Sequence, residues 1–336
     1  MYESQAGAVK CYSIFCRLPN QQRTPLNDAT LIRERVLRGL ALNRTPGYHY
    51  TGNFLEFSFE EVTEPLVRMT MPGGPHVTEA GGNCNYAMVA VFADMAMSAN
   101  VRAGHQPYSR LATVQMNLQF NGAPMTGALQ LESRLQGYIE GITSKQGATT
   151  VTVTANGKPV CLGTGAFMVL DPPPGVALYN MELRKAGDAP VAPLDEKVLT
   201  RDERKVLTVA DAALARMQTG ESFIQGFLSV KTQKRDNAAT GVLKNGPHIG
   251  NRVGHVQGGV TMGLGIATAE AALPDNWMLS SVTAWYISPG EGRSIRARSK
   301  VVHRGRLTAV VRTEIFGKNN RRVMEMVTAH ASKPAG

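Results

Sequence analysis

Cysteines are scarce in this chain, and their spacing excludes two classes of protein. Four are present among 336 residues, Cys11, Cys16, Cys84 and Cys161, and no two of them have the CxxC spacing of a redox or zinc motif. Four cysteines are also too few for a disulfide scaffold in a chain of this length, so we expect free thiols in a reducing compartment.

Long apolar runs and targeting patterns are missing as well. No apolar run reaches the roughly 18 residues that a membrane-spanning helix needs, and the chain does not open with a secretory signal pattern. We therefore predict a cytoplasmic protein without a membrane span. The glycines near Gly263 and Gly265 do not complete GxGxxG, and zinc-finger and RNA-binding motifs are absent. No cofactor, metal or nucleic-acid partner is predicted.

Positive charge is concentrated in the second half. Residues 1–175 carry 13 Lys and Arg against 12 Asp and Glu, whereas residues 176–336 carry 23 against 14, within a net charge of +10. Ten of these cations lie between residues 291 and 322, against two acidic residues. Charge alone would fit nucleic acid, a membrane surface or a phosphorylated ligand.

An internal repeat organises the chain. The tripeptide Gly-Pro-His at 74–76 recurs at 246–248, 172 residues later. In each copy a helical pattern precedes the tripeptide and a small-residue apolar segment follows it: 28–42 and 86–101 first, then 202–217 and 259–273. Four strand-like runs come next: 111–120, 128–138, 148–155 and 160–170, then 279–287, 294–303, 307–316 and 321–330.

This order predicts an α+β fold in which an antiparallel meander wraps a central helix. The proline-rich stretch that starts at Asp171 can continue neither a helix nor a central strand, so it is read as a linker. We expect an N-terminal domain at 1–172, a linker at 173–200 and a C-terminal domain at 201–336.

One carboxylate, Asp94, stands in the otherwise apolar helix of the first half. A carboxylate in a low-dielectric site has a raised pKa and is a candidate general base or nucleophile. In the second half the glycines Gly258 and Gly259 come just before the central helix, where exposed backbone N–H groups and the helix dipole can stabilise an oxyanion.

These segments resemble a known family. The run Phe92-Ala-Asp-Met-Ala-Met, with Thr113 19 residues after the aspartate, is similar to hotdog thioesterases of the phenylacetate-pathway type. The second half, from Gly254 through the segment 281–289 to Arg306, resembles the same superfamily and the double-hotdog acyl-CoA thioesterases. The resemblance implies two tandem hotdog domains that pair as a pseudo-dimer, with an acyl-CoA substrate.

The resemblance also implies a site at the seam between the two domains. Asn251 and Gly258 would come from the second half, and Asp94 and Thr113 from the first. The family's loop histidine is Gln257 here, a departure that removes an ionisable group.

In this scheme the N–H of Gly258 polarises the thioester carbonyl and Asn251 orients the acyl group or water. Asp94 either activates the water or attacks directly, and the sequence leaves both routes open. Gly259 is expected to contact the ligand, and Arg304 and Arg306 to bind CoA phosphates.

The mirrored site should be silent. At the 172-residue offset Glu79 replaces Asn251, Tyr86 and Ala87 replace the glycine pair, and Ile266 replaces the aspartate. Tyr86 hinders close backbone approach, and Ile266 can neither accept a proton nor attack a carbonyl.

Two other functions stay open: a non-catalytic acyl-CoA or lipid-binding double hotdog, and a hotdog enoyl-CoA hydratase. The hydratase is disfavoured because no histidine has an aspartate six residues before it. The acyl group is undetermined, since the expected pocket floor, Met88, Phe92, Met262 and Trp285, is made of generic apolar residues. A homo-oligomer of double-hotdog units is possible on this reading.

Overall fold

The computed structural model describes residues 25–45, 50–105, 109–141, 145–171, 175, 183–251 and 253–334. Six α-helices lie in this part of the chain: α1 (Pro25–Asn43), α2 (Tyr50–Phe54), α3 (Tyr86–Ala103), α4 (Arg201–Met217), α5 (Phe223–Leu228) and α6 (Gly258–Ala271). The four helices predicted from periodicity correspond to α1, α3, α4 and α6. No helix among the described residues combines the length and the apolar character needed to cross a membrane.

Each half of the described chain contributes six strands. The first six are β1 (Ser58–Val62), β2 (Leu66–Met71), β3 (Arg110–Phe120), β4 (Leu129–Tyr138), β5 (Gln146–Ala155) and β6 (Lys158–Leu170). The second six are β7 (Lys231–Arg235), β8 (Ala238–Lys244), β9 (Trp277–Tyr286), β10 (Ser294–Arg304), β11 (Thr308–Phe316) and β12 (Arg322–Ser332). All eight predicted strands are present, with ends that differ by two residues or fewer.

The strands form one antiparallel sheet in the order β1-β2-β4-β5-β6-β3-β9-β12-β11-β10-β8-β7. The order is palindromic about the β3–β9 pair, which runs from Gln115 opposite Trp285 to Gln119 opposite Ser281. The α+β class is therefore confirmed. The four-strand meander is wrong in one respect in each half, since β3 pairs with β6 rather than β4 and β9 pairs with β12 rather than β10. The connections at 121–128 and 287–293 are longer than a tight hairpin turn.

The two central helices α3 and α6 lie against each other with their backbones in contact. A Cβ added to Gly259 would lie 2.3 Å from the backbone nitrogen of Val91, and one added to Gly263 would lie 2.2 Å from the Cβ of Ala87. Only glycine permits this approach. The contact brings the N-terminus of α6 beside the middle of α3, so residues of both halves meet there.

The histidines of the repeated Gly-Pro-His tripeptide are packing residues. The ring of His76 is edge-on to Phe54 at 5.8 Å between centroids, and the ring of His248 is edge-on to Phe227 at 5.1 Å. Burial lowers the pKa of both rings, to about 4 for His248. They are therefore neutral at pH 7, and the repeat marks a duplicated aromatic cluster.

The predicted linker falls partly outside the described residues, at 173–174 and 176–182. Residues 183–200 lack strands and long helices and contain one short 3-10 helix, Glu196–Val198. Arg33 of α1 makes ion pairs with Glu196 and with Asp211 of α4, which holds this segment against the helices. The domain limits themselves stay a prediction.

Candidate active site

Asp94 lies where α3 passes the N-terminus of α6, and it is only 8% exposed. Its Oδ1 accepts a hydrogen bond from the Thr113 hydroxyl at 2.8 Å, and its Oδ2 accepts one from Gln257 Nε2 at 2.8 Å. Thr113 lies on β3 of the first half, whereas Gln257 comes from the second. Three predicted site residues thus meet here, with Thr113 and Gln257 both bonded to the carboxylate of Asp94.

Gln257 is held in a single orientation because it caps α6. Its Oε1 accepts a hydrogen bond from the N–H of Val260 at 3.0 Å, so its amide NH₂ has to face Asp94. Gln257 is buried. A fixed neutral donor therefore faces Asp94 at the position where the resemblance implies a loop histidine.

Burial raises the pKa of Asp94 to about 6, although the hydrogen bonds from Thr113 and Gln257 act in the opposite direction. A carboxyl with this pKa is mostly ionised at pH 7, yet it accepts a proton more readily than a surface aspartate does. Asp94 therefore meets both requirements of a general base near neutral pH.

Gly258, the first residue of α6, lies directly beside Asp94. A Cβ at this position would be 3.5 Å from Asp94 Oδ2 and 3.2 Å from the ring of Tyr286. Tyr286 also donates a hydrogen bond to the Gly258 carbonyl oxygen at 3.3 Å. Within the described chain the N–H of Gly258 has no protein acceptor. It belongs to the unpaired first turn of a helix, which is suited to bind developing negative charge.

A cavity of about 350 Å³ contains these groups, and both halves line it. Its apolar lining includes Met95, Phe167 and Val256, and its cationic lining includes Arg102 and Arg110. A hydrophobic acyl chain and an anionic group could therefore both be accommodated in one space. Close to the cavity, His255 Nε2 lies 3.3 Å from Glu291, and burial lowers the pKa of His255.

Asn251 lines the cavity, but its amide oxygen is used by its own loop. Oδ1 accepts hydrogen bonds from the backbone N–H groups of Val253 and His255, both at 3.0 Å. Only the NH₂ of Asn251 is left to contact a ligand. The structure thus restricts the predicted orienting role to donation from this group.

Three sequence-based assignments do not meet at this cavity. Gly259 packs on α3 and is not a lining residue, because its missing side chain makes room for Val91. Arg304 ends β10, whereas the cavity is lined by Pro289 and Gly290, shortly before β10 begins. Ser294 and Arg304 are ten residue steps apart, a span of about 33 Å at about 3.3 Å per residue. Arg306 lies in the same distant hairpin.

The expected pocket floor is also wrong. Met88, Phe92 and Met262 are buried core residues, and Trp285 is 45% exposed. None of the four lines the cavity. On these helices and strands the apolar pattern marks the packed interior, while the cavity lining comes mainly from loops and strand ends.

The mirrored positions line a second cavity of about 300 Å³. Glu79, Tyr86, Ala87 and Ile266 all contribute to it, as the 172-residue offset predicts. Glu270, one helical turn beyond Ile266, also lines this cavity and was not predicted from the sequence. Burial, reinforced by the nearby charge of Glu79, raises the pKa of Glu270 to about 7.

Other residues of the first cavity were also missed. Tyr286 and Arg110 lie at strand ends, and His255 lies in the loop, beside residues that the sequence analysis did single out. The available signal was that Tyr286 lies within the segment 281–289 and that Arg110 and His255 lie within three residues of Thr113 and Gln257. Nothing in that closeness distinguished them from their neighbours before the sheet register was known.

Comparisons with known proteins bear on the fold and on the second half of the chain. Residues 248–333 match the family described as "Acyl-CoA thioesterase N-terminal domain". No curated protein matches the chain significantly. A Lactobacillus plantarum protein inferred to be an oleoyl thioesterase is 10% identical, with a TM-score of 0.52, over 80% of this chain and 97% of that one. A conserved Alicyclobacillus acidocaldarius protein of unknown function with a hot dog fold is 9% identical, with a TM-score of 0.51, over 86% and 100%.

The two structural likenesses show the hotdog fold, and the family match lies in the half that contributes Gln257 and Gly258. The match to an acyl-CoA thioesterase domain in the second half, together with the hotdog fold, confirms the resemblance found in the sequence.

Proposed function

We propose that the chain is a tandem double hotdog that hydrolyses an acyl-CoA thioester at one composite site. The observation that carries this proposal is the buried carboxylate of Asp94, fixed by Thr113 from its own half and by Gln257 from the other. Six strands and one central helix in each half support the pseudo-dimer interpretation. The cytoplasmic location and a higher oligomer stay predictions.

In the proposed reaction the thioester carbonyl oxygen accepts a hydrogen bond from the backbone N–H of Gly258. Ionised Asp94 takes a proton from a water molecule, and the water oxygen bonds to the carbonyl carbon. The tetrahedral oxyanion is stabilised at the N-terminus of α6. When it collapses, the carbon–sulfur bond breaks and CoA leaves as a thiolate, which receives the proton from Asp94. The NH₂ of Asn251 would orient the water or the acyl oxygen.

The general-base route is favoured here over direct attack. Both oxygens of Asp94 already accept a hydrogen bond, which reduces the electron density available for attack on carbon. Its pKa of about 6 is close to the operating pH, where base catalysis is most effective.

A single-turnover experiment in H₂¹⁸O distinguishes the two routes. The base route places ¹⁸O in the released carboxylic acid alone. In the covalent route Asp94 displaces CoA thiolate and forms a mixed anhydride with the acyl group. Water that opens this anhydride at the aspartyl carbon places ¹⁸O in the Asp94 side chain, and mass spectrometry of the peptide that contains Asp94 would detect a shift of about 2 Da.

Arg102 and Arg110 are the cations that line the cavity, so they are candidates to contact the anionic part of the substrate. The CoA-phosphate assignment of Arg304 and Arg306 stays a prediction. Comparison of KM for CoA esters in Arg110→Ala with that in Arg304→Ala and Arg306→Ala tests it. A KM that rises with added salt would fit any of these charge contacts.

We propose that the second cavity is catalytically silent. Ile266 supplies no base at the position of Asp94, and Glu79 and Glu270 give the cavity an acidic lining that disfavours the phosphates of CoA.

Thiol release measured across short, long and aromatic acyl-CoAs tests the function. Asp94→Asn should lower turnover by at least about 100-fold, because general-base catalysis contributes roughly 10²–10⁴-fold. Glu270→Gln is the matched control, since it also removes a carboxylate with a raised pKa, and it should keep most activity. Equal turnover in wild type and Asp94→Asn would exclude Asp94 as the base.

A further inference from the structure

The outer face of β10 carries a row of cations without acidic partners. Arg296, Arg298 and Lys300 are exposed and alternate with buried residues, so their side chains project from the same face at intervals of about 7 Å. Within the described part of the chain no carboxylate lies within ion-pairing distance of any of them. Arg298 instead lies over the ring of Phe316 at 5.4 Å.

The neighbouring strand β11 does not neutralise this charge. Glu314, directly opposite Arg298, pairs with Arg322 of β12 instead. Lys300 is directly opposite Arg312 of β11, a like-charge pair that is unfavourable in an isolated sheet. Arg312 is balanced by Glu325 at 2.6 Å, so the charge of Lys300 stays uncompensated. Binding of an anion to this exposed surface would relieve the electrostatic repulsion between the like charges.

The corresponding face of the first half is different. On β4 the carboxylate of Glu132 lies between Arg68 at 3.2 Å and Arg134 at 2.8 Å. Arg68 also pairs with Glu61 at 2.6 Å. The charges there are balanced locally, so the uncompensated row belongs to the second half.

The β10–β11 hairpin, at the end of this row, combines cations with exposed aliphatic side chains. Val302 is 64% exposed at a β-bulge, and Leu307 is 63% exposed in the turn. Arg304 and Arg306 flank the turn, and neither has an acidic partner among the described residues. An apolar tip beside cations is the combination that binds at a lipid headgroup boundary.

We propose that the face formed by β10 and the β10–β11 hairpin docks on an anionic lipid bilayer, with Val302 and Leu307 inserted below the headgroups. Charge complementarity supplies the attraction, and the exposed aliphatic tip selects a bilayer over a nucleic acid. Phe316, the aromatic residue beside the cations, is covered by Arg298 and Arg322 and therefore does not offer a free face for base stacking.

Docking through this hairpin leaves the catalytic cavity free. The cavity lies at the start of β10 and the tip at its far end, about 33 Å away along ten residues of strand. The proposal therefore does not depend on which acyl-CoA is hydrolysed.

Vesicle co-sedimentation of the full chain tests the proposal. Vesicles of phosphatidylcholine with 30% phosphatidylglycerol should bind the protein, vesicles of phosphatidylcholine alone should not, and added salt should release it. Arg304→Gln/Arg306→Gln should weaken binding about 30-fold, since a basic residue near an anionic surface contributes about 1 kcal/mol, or about fivefold. Lys158→Gln/Lys197→Gln removes the same charge from elsewhere on the surface and should leave binding unchanged.

The apolar contribution separates lipid from nucleic acid. Leu307→Ser keeps the charge and should weaken vesicle binding about tenfold. The proposal is overturned if neutral and anionic vesicles bind equally, or if the control variant weakens binding as much as the hairpin variant. Tighter binding to a random single-stranded oligonucleotide that Leu307→Ser does not change would assign the face to nucleic acid instead.

Discussion

Replacement of Asp94 by Asn should make the protein more stable above pH 6 while activity is lost. The raised pKa means that the folded state holds the Asp94 proton more tightly than the unfolded chain does. The protonated carboxyl of Asp94 makes its full contribution to the free energy of unfolding below pH 3.8, the pKa in the unfolded chain. This contribution is lost as the pH rises through the folded pKa of about 6. The folded site therefore favours the protonated, neutral form of Asp94, and an asparagine side chain resembles that form.

The magnitude follows from the two pKa values. A shift from 3.8 to about 6 is about two units, and each unit corresponds to 1.36 kcal/mol, so full ionisation costs about 3 kcal/mol. Asn also fits the hydrogen bonds, because its oxygen can accept from Gln257 while its NH₂ donates to the Thr113 hydroxyl. The stability of Asp94→Asn relative to wild type should therefore increase by about 2 kcal/mol between pH 4 and pH 8.

Urea unfolding of both proteins across this pH range measures the difference. Asp202→Asn is the control, since Asp202 is exposed and Lys205 lowers its pKa, so no increase with pH is expected there. A constant difference between Asp94→Asn and wild type from pH 4 to pH 8 would show that Asp94 has an ordinary pKa and would refute the reasoning.

Further predictions address the same site. The kcat/KM of wild type should fall tenfold per pH unit below an apparent pKa of about 6, because only ionised Asp94 accepts a proton; a profile that is flat between pH 5 and pH 8 would contradict this. Gln257→Glu keeps the cap on α6 but places a second carboxylate against Asp94, so the apparent pKa in the rate profile should rise by more than one unit. Gly259→Ala should lower the melting temperature strongly, because its Cβ would lie 2.3 Å from the backbone of Val91. Gly81→Ala, whose Cβ would have no atom within 4 Å, should have little effect. Equal effects of the two substitutions would exclude close helix packing as the reason for Gly259.

Most of the fold could be predicted because the periodic signals are strong. The helices α1 and α4 follow from apolar spacing, and β5 and β11 alternate regularly between buried and less buried residues. The pairing of β3 with β9 could not be predicted from pattern, since alternation assigns faces but not neighbours. The joining of the two halves into one sheet is a long-range property.

The candidate site was predicted best where one residue conflicts with its surroundings. Asp94 stands out in an apolar helix, and the structure confirms that it is buried with partners. Arg304 and Arg306 illustrate the opposite case, because their charge was visible but their distance from the cavity depends on strand direction. Gly259 shows that a glycine beside a helix N-terminus can serve helix packing, while its neighbour Gly258 lies in the site.

Each chain is expected to contain one working site assembled from both halves. Calorimetric titration with a non-hydrolysable acyl-CoA thioether tests it most directly, because it counts sites without requiring turnover. We predict one site per chain in wild type and in Glu270→Gln, and loss of binding in Gly258→Val, whose side chain would occupy the space beside Asp94. Two equivalent sites per chain, or binding that survives Gly258→Val and disappears in Glu270→Gln, would contradict the account.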